Sequence, residues 1–185
     1  YSGCGLLASA LTMDKVRTKW LWQGIDLPTP AFTVLAADSD WSKIIEELGT
    51  VFVKPALEGS SLGMSKATDA SALQEAFDAA VAYGGPVIAE QFVAGAEYTV
   101  AILNGRALPS IRIDVAGDFY DFDAKYHSEQ TRFTCPSDLT AEEEQSLSSL
   151  ALNAFSAVGG EVWGRVDIMR DTADAWQLLE VNTIP

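Results

Sequence analysis

A chain of 185 residues, 48% hydrophobic and 21% charged, can bury a real core without staples, as one domain or two small ones. Twelve basic against twenty-six acidic side chains, a formal net charge of −14, argue against nucleic acid or a membrane surface as the main partner, yet leave room for a phosphate ligand where a few lysines converge. Two distant cysteines, Cys4 and Cys135, and the single His127 give no zinc pattern, and no apolar run reaches a membrane span.

The opening "GCGLLASALTM" is apolar but lacks the basic start of a secretory leader, so a cytoplasmic setting with reduced thiols is expected. "MDKVRTKWLWQG" predicts a helix with Val16, Trp20 and Gln23 on one side and Gly24 at its stop. "PAFTVLA" predicts a short strand. "DWSKIIEELG" predicts a short helix with Asp40 as N-cap and Gly49 beyond its end. "TVFVKP" reads as a strand that runs into a proline, with "MSKA" returning as its hairpin partner. "ALQEAFDAAVAYGG" places Leu73, Phe77, Ala80 and Val81 on one helical face, and "PVIAEQFV" is a further strand.

From Gly95 the pattern becomes strand-rich, and the boundary between two domains, 1–94 and 95–185, is expected there. Asn104-Gly105 marks a hairpin turn within "EYTVAILNGRALPSIRI". The stretch from Asp114 to Asp138 has no clean period, as expected of a functional or mobile loop. "TAEEEQSLSSLALNAFSAVGG" predicts a helix with a Thr140/Glu143 capping box. "EVWGRVDIM" and "AWQLLEVN" predict two final strands.

Two stretches carry chemistry. In "VFVKPALEGSSLGMSK" Lys54 precedes Gly59 and Gly63, and the loop joins strand to strand; a Walker A loop has its lysine after the glycines and opens a helix. The last two strands can be analysed by register. Paired antiparallel around Thr172–Ala175, they set Asp171 opposite Trp176, Asp167 opposite Glu180 and Arg165 opposite Asn182. Val166, Ile168, Leu179 and Val181 then share a core face, and Arg165, Asp167, Glu180 and Asn182 share the other. Facing carboxylates repel unless a cation sits between them, and such an oxygen cluster suits Mg²⁺ (or Mn²⁺) completed by ligand phosphates. The alternative is an exposed strand face with an Arg–Asp salt bridge.

Lys54 before its Glu-Gly-Ser-Ser loop, Glu90 opening "EQFVAGAEYTV", and Asp167 with "LLEVNTIP" resemble an ATP-grasp enzyme. "SALTMDK", "VKPALEGSSLGMSK", "LPSIRI", "FYDFDAKY", "GRVDIM" and "LLEVNTIP", in that order along the chain, resemble the D-alanine–D-alanine ligase family. The resemblance implies an α+β fold of two α/β lobes with ATP bound between them. It implies ATP-dependent joining of two D-alanines through an acyl phosphate, for peptidoglycan precursors. Lys15 and Lys54 resemble the family's phosphate-contacting lysines, and Glu58, Ser60 and Ser61 its mobile phosphate loop, with Ser60 also at the catalytic centre. Glu90, Gln91, Phe92 and Val93 resemble the segment that holds adenine, although Gln91 stands where many relatives have lysine. Glu97 resembles the ribose acceptor. Lys125 and Tyr126 resemble a catalytic lid pair of dipeptide-forming members, with Lys125, like Lys54, also implied to bind the nucleotide and offset developing charge, and Phe119 and Phe122 would pack that lid. Asp167, Glu180 and Asn182 are the implied metal ligands, and Arg165 the group that stabilises the transferring phosphoryl and the tetrahedral oxyanion.

The family also has an N-terminal domain before the position of Tyr1 and a segment after the Asn-Thr-x-Pro element, both involved in holding D-alanine. The chain is therefore expected to be an ATP-binding core, weakly active or inactive alone, from a full-length protein that can form a homodimer. Two other functions stay open: another ATP-grasp carboxylate–amine ligase, and a non-catalytic module that binds Mg·ATP.

Overall fold

A computed structural model describes residues 2–114 and 131–184, and their backbone forms two compact units. The α+β expectation holds in each. The first unit, residues 30–92, is built from β1 (Phe32–Leu35), α3 (Trp41–Leu48), β2 (Val51–Pro55), β3 (Ser65–Ala67), α4 (Ala70–Val81) and β4 (Val87–Gln91). Its strands form an antiparallel sheet in the order β1-β4-β2-β3. Strand alternation buries Val51 and Val53 against Leu73, Phe77 and Ala80 of α4, and Trp41 of α3 meets the Phe77 ring at 5.3 Å. Asp40 and Asp69 cap the two helices by accepting from the amides of Lys43 and Ala72.

The second unit combines residues 2–29, 93–114 and 131–184. It contains α1 (Leu6–Thr12), α2 (Lys15–Gly24), β5 (Gly95–Leu103), β6 (Arg106–Ala107), β7 (Ile111–Asp114), β8 (Arg132–Thr134), α5 (Ala141–Ala157), β9 (Trp163–Asp171) and β10 (Trp176–Asn182). The sheet runs β10-β9-β5-β7-β8, with β6 on β5. Trp22, Tyr98, Val100, Ile102, Leu147, Phe155, Val166, Ile168, Leu178 and Val181 form its core. A close approach requires Gly164: a Cβ there would lie 2.4 Å from the Phe155 ring. Strand β5 starts at Gly95, and residues 2–29 pack with the second unit. Among the described residues, no helix is long and apolar enough to cross a membrane.

Four local expectations differ from the structure. The buried residues of α2 include Val16, Lys19 and Trp22, while Trp20 is 57% exposed. A lysine on the inner face disguised the true stripe. On α4, Ala76 is buried and Val81 lies outside. Strand β8 falls in the stretch that shows no period, since three residues are too few to display one. In the last hairpin, Asp167 faces Glu180 and Arg165 faces Asn182 as expected, but Trp176 faces Arg170 and not Asp171. The register shifts between Leu178 and Glu180, so Leu178 enters the core in place of Leu179.

The capping box of α5 is complete. The Thr140 amide and hydroxyl donate to Glu143 Oε2 at 2.9 and 2.8 Å, and Arg170 donates to Oε1 at 2.6 Å. These donors, the Thr140 backbone foremost, pull the Glu143 carboxyl down to about 2. A depressed carboxylate stabilises the fold fully above its unfolded value and loses that contribution as pH falls through its folded value. Carboxyl-carbon NMR of Glu143 should therefore show a midpoint near 2, moving up toward the ordinary glutamate range in Thr140→Ala. A wild-type midpoint already at the ordinary value would rule out the box in solution.

Candidate functional site

The six-stranded sheet buries alternate residues of β5, namely Tyr98, Val100 and Ile102. Alternation turns Glu97, Thr99 and Ala101 to its other face. Their Cα partners on β9 are Met169, Asp167 and Arg165, and β10 sets Glu180 and Asn182 opposite Asp167 and Arg165. One sheet face thus gathers Glu97, Thr99, Arg165, Asp167, Glu180 and Asn182.

Asp167 is the hub. Its Oδ1 accepts from Thr99 Oγ1 at 2.6 Å and from Arg165 Nε at 2.8 Å, and its Oδ2 accepts from Arg165 Nη2 at 2.8 Å and Asn182 Nδ2 at 3.0 Å. Burial pushes this carboxyl up, and the Glu180 charge adds to that, against the opposing pull of Arg165 and Thr99. On the facing strand, Glu180 Oε2 lies 3.6 Å from Lys15 Nζ. Lys15 is the first residue of α2, where the Asp14 side chain caps the helix by accepting from the Arg17 amide. Each carboxylate of the facing pair therefore has a cationic neighbour from the chain itself, so repulsion alone does not demand a metal here.

The case for a metal rests on donor chemistry. Mg²⁺ takes hard oxygen ligands, commonly from one or two carboxylates plus substrate phosphates. Asp167, Glu180 and the Asn182 amide offer that set at adjacent strand positions. No group of three or more His, Cys, Asp or Glu suited to a metal occurs among the described residues.

The first unit carries a second polar cluster. Glu90 lies on β4 with Phe32 and Phe52 as its neighbours across the sheet. Its carboxylate pairs with Lys54 Nζ, and both side chains are largely withdrawn from solvent. Beside them the Phe52 and Phe92 rings meet edge to face at 5.4 Å, and Lys66 Nζ sits 4.1 Å over Phe92. The amides of Gln91 and Phe92 donate to the carbonyls of Ala31 and Thr50, and the Gln91 side chain donates to Leu48 O. In the loop after β2, Ser60 and Ser61 both adopt left-handed backbone, at φ 53° and 59°. Two consecutive non-glycine residues in that region carry a conformational cost characteristic of functional loops.

The structure thus joins Arg165, Asp167 and Asn182 directly, links Glu180 to Lys15, and links Lys54 to Glu90. Lys125 and Tyr126, with Phe119 and Phe122, lie outside the described residues. Sequence reasoning missed Thr99 and Lys66. Register would have found Thr99 once β5 was set beside β9, since its hydroxyl then falls opposite Asp167.

Comparison with known proteins places this geometry in context. The family described as D-ala D-ala ligase C-terminus matches residues 21–185. A D-alanine–D-alanine ligase of Nitrosococcus oceani is 52% identical over 186 residues, covering all of this chain and 59% of its own length. A crystal structure of D-alanine–D-alanine ligase from Bacillus anthracis matches with a TM-score of 0.87 at 29% identity, over all of this chain and 61% of that one. A structure of the Bacillus anthracis ligase complexed with ATP matches with a TM-score of 0.84 at 29% identity, over all of this chain and 60% of that one. The chain spans less than two thirds of the length of each.

The Lys54–Glu90 pair predicts energetic coupling. In a double-mutant cycle by urea denaturation, Lys54→Met and Glu90→Gln should each destabilise the protein. The double variant should lose less than their sum, by roughly 1.5–3 kcal/mol for a sheltered charge-assisted bond. Additive losses would show that the two groups do not interact in solution.

Proposed function

The chain belongs to the D-alanine–D-alanine ligase family and has its ATP-grasp α+β fold, and on that premise we propose that it is the Mg·ATP-binding part of an enzyme that joins two D-alanines. The observation that carries the proposal is the shared face of Asp167, Glu180, Asn182 and Arg165. In the proposed reaction the carboxylate of one D-alanine attacks the γ-phosphorus of ATP, giving an acyl phosphate and ADP. The amine of the second D-alanine then attacks that carbonyl carbon, loses a proton, and expels phosphate.

Such chemistry needs positioning and charge neutralisation more than a side-chain nucleophile. Asp167, Glu180 and Asn182 would hold Mg²⁺, which when bound supplies neutralisation of phosphate oxygens. Arg165, fixed by its two bonds to Asp167, keeps a guanidinium at this face for charge that develops on the phosphoryl group and on the tetrahedral oxyanion. Lys15 and Lys54 are the proposed phosphate cations, and Ser60 and Ser61 turn the loop that would approach the phosphates. Glu97 is the proposed ribose acceptor. Because the sheet already uses the amides of Gln91 and Phe92, the Val93 amide is the donor proposed for adenine.

Calorimetry with a non-hydrolysable ATP analogue provides the test. Binding should weaken sharply when EDTA replaces Mg²⁺. Glu180→Ala should lose roughly ten-fold or more of the affinity measured in Mg²⁺ and little of that in EDTA. Equal losses under both conditions would return Glu180 to a structural role. No binding at millimolar analogue by the folded protein would sink the proposal.

A further inference from the structure

Lys19 has no part in the proposed reaction, yet it is among the most deeply buried side chains in the protein, at 1% exposure. Burying an ammonium is costly, and an apolar side chain of similar length would pack there without that cost. Its Nζ donates to Thr29 Oγ1 at 2.6 Å. An ammonium has no lone pair, so the Thr29 hydroxyl must be the acceptor, and its own proton is directed elsewhere. That proton goes to the Leu178 carbonyl at 2.9 Å. The Leu178 amide in turn donates to the Pro28 carbonyl, also at 2.9 Å. Both backbone groups of Leu178 are thus held by residues 28 and 29, along the outer edge of β10.

Leu178 is the last residue before the register shift. Up to it, β10 pairs Gln177 with Met169 and Leu178 with Ile168; after it, Glu180 pairs with Asp167. If the register before the shift continued unbroken, Glu180 would fall opposite Val166 and turn toward the core. Bulges re-aim side chains and are stable only when their backbone groups find partners. We propose that Lys19 and Thr29 form a strut that pins the β10 bulge and so holds Glu180 and Asn182 on the metal-binding face. Lys19 and Thr29 are positioning residues: they act through Leu178 and touch no reactant. The strut rests on the assignment of Asp167, Glu180 and Asn182 as metal ligands.

The test uses Mn²⁺ affinity in the presence of a non-hydrolysable ATP analogue, read from the EPR signal of free Mn²⁺. Affinity of the same analogue in EDTA, and amide NMR shifts of Leu178 and Glu180, are measured alongside. Thr29→Val and Thr29→Ala remove the hydroxyl with and without its bulk; Thr29→Ser keeps it. Both hydroxyl-less variants should lose roughly ten-fold in Mn²⁺ affinity, the usual scale for groups that orient metal ligands. They should keep their metal-free nucleotide affinity and shift the Leu178 and Glu180 amides, and Thr29→Ser should restore all three readouts. Wild-type Mn²⁺ affinity in a folded hydroxyl-less variant, or equal losses with and without metal, would overturn the strut. Glu180→Gln separates the two levels. If it loses Mn²⁺ while the Thr29 variants do not, the strut alone fails; if it keeps wild-type Mn²⁺ affinity, the metal assignment fails and takes the strut with it.

Discussion

The register shift between Leu178 and Glu180 determines what each later residue of β10 meets. A strand has a side-chain period of two, so one inserted residue exchanges the two faces for everything beyond it. Before the shift, β10 gives Leu178 to the core; after it, β10 gives Val181 to the core and Glu180 and Asn182 to the polar face. The bulge therefore satisfies two demands that a regular strand with this sequence could not meet together. Leu178 is fully buried beside Ile168, and Glu180 still stands opposite Asp167.

Asp167 shows what the polar face costs. Its carboxyl is sheltered from water, which raises its pKa, and four donated bonds from Thr99, Arg165 and Asn182 work against that penalty. A buried ion pair is weak evidence for stability, because well-packed apolar residues would serve a sheet at least as well. The Lys54–Glu90 pair in the other unit invites the same argument: Glu90 is 2% exposed in a strand whose other buried residues are Val87, Ile88 and Ala89. Polar groups at such positions disfavour a purely structural account of either face.

Much of this was legible in the sequence, and the failures have physical causes. Helix caps were readable because Asp40 and Thr140 act on amides within three residues. The pairing of Asp167 with Glu180 was readable because counting from a turn is reliable over a short hairpin. The same count misassigned Leu179 to the core and Asp171 to Trp176, since a bulge leaves no compositional mark in "AWQLLEVN". The burial of Lys19 has no local signature, because it depends on Thr29, ten residues away in sequence, and on the covering core. Thr99 depended on setting β5 against β9, nearly seventy residues apart, which no local pattern encodes.

Both units solve one problem in the same way. Each is an antiparallel sheet with helices packed on one face, so strand parity divides core residues from polar ones position by position. Val51 and Val53 hold the smaller core while Phe52 and Lys54 point away from it; Val166 and Ile168 hold the larger core while Arg165 and Asp167 point away. Under this division apolar substitutions on the core faces are constrained mainly by volume. Substitutions on the opposite faces are constrained by charge and donor geometry.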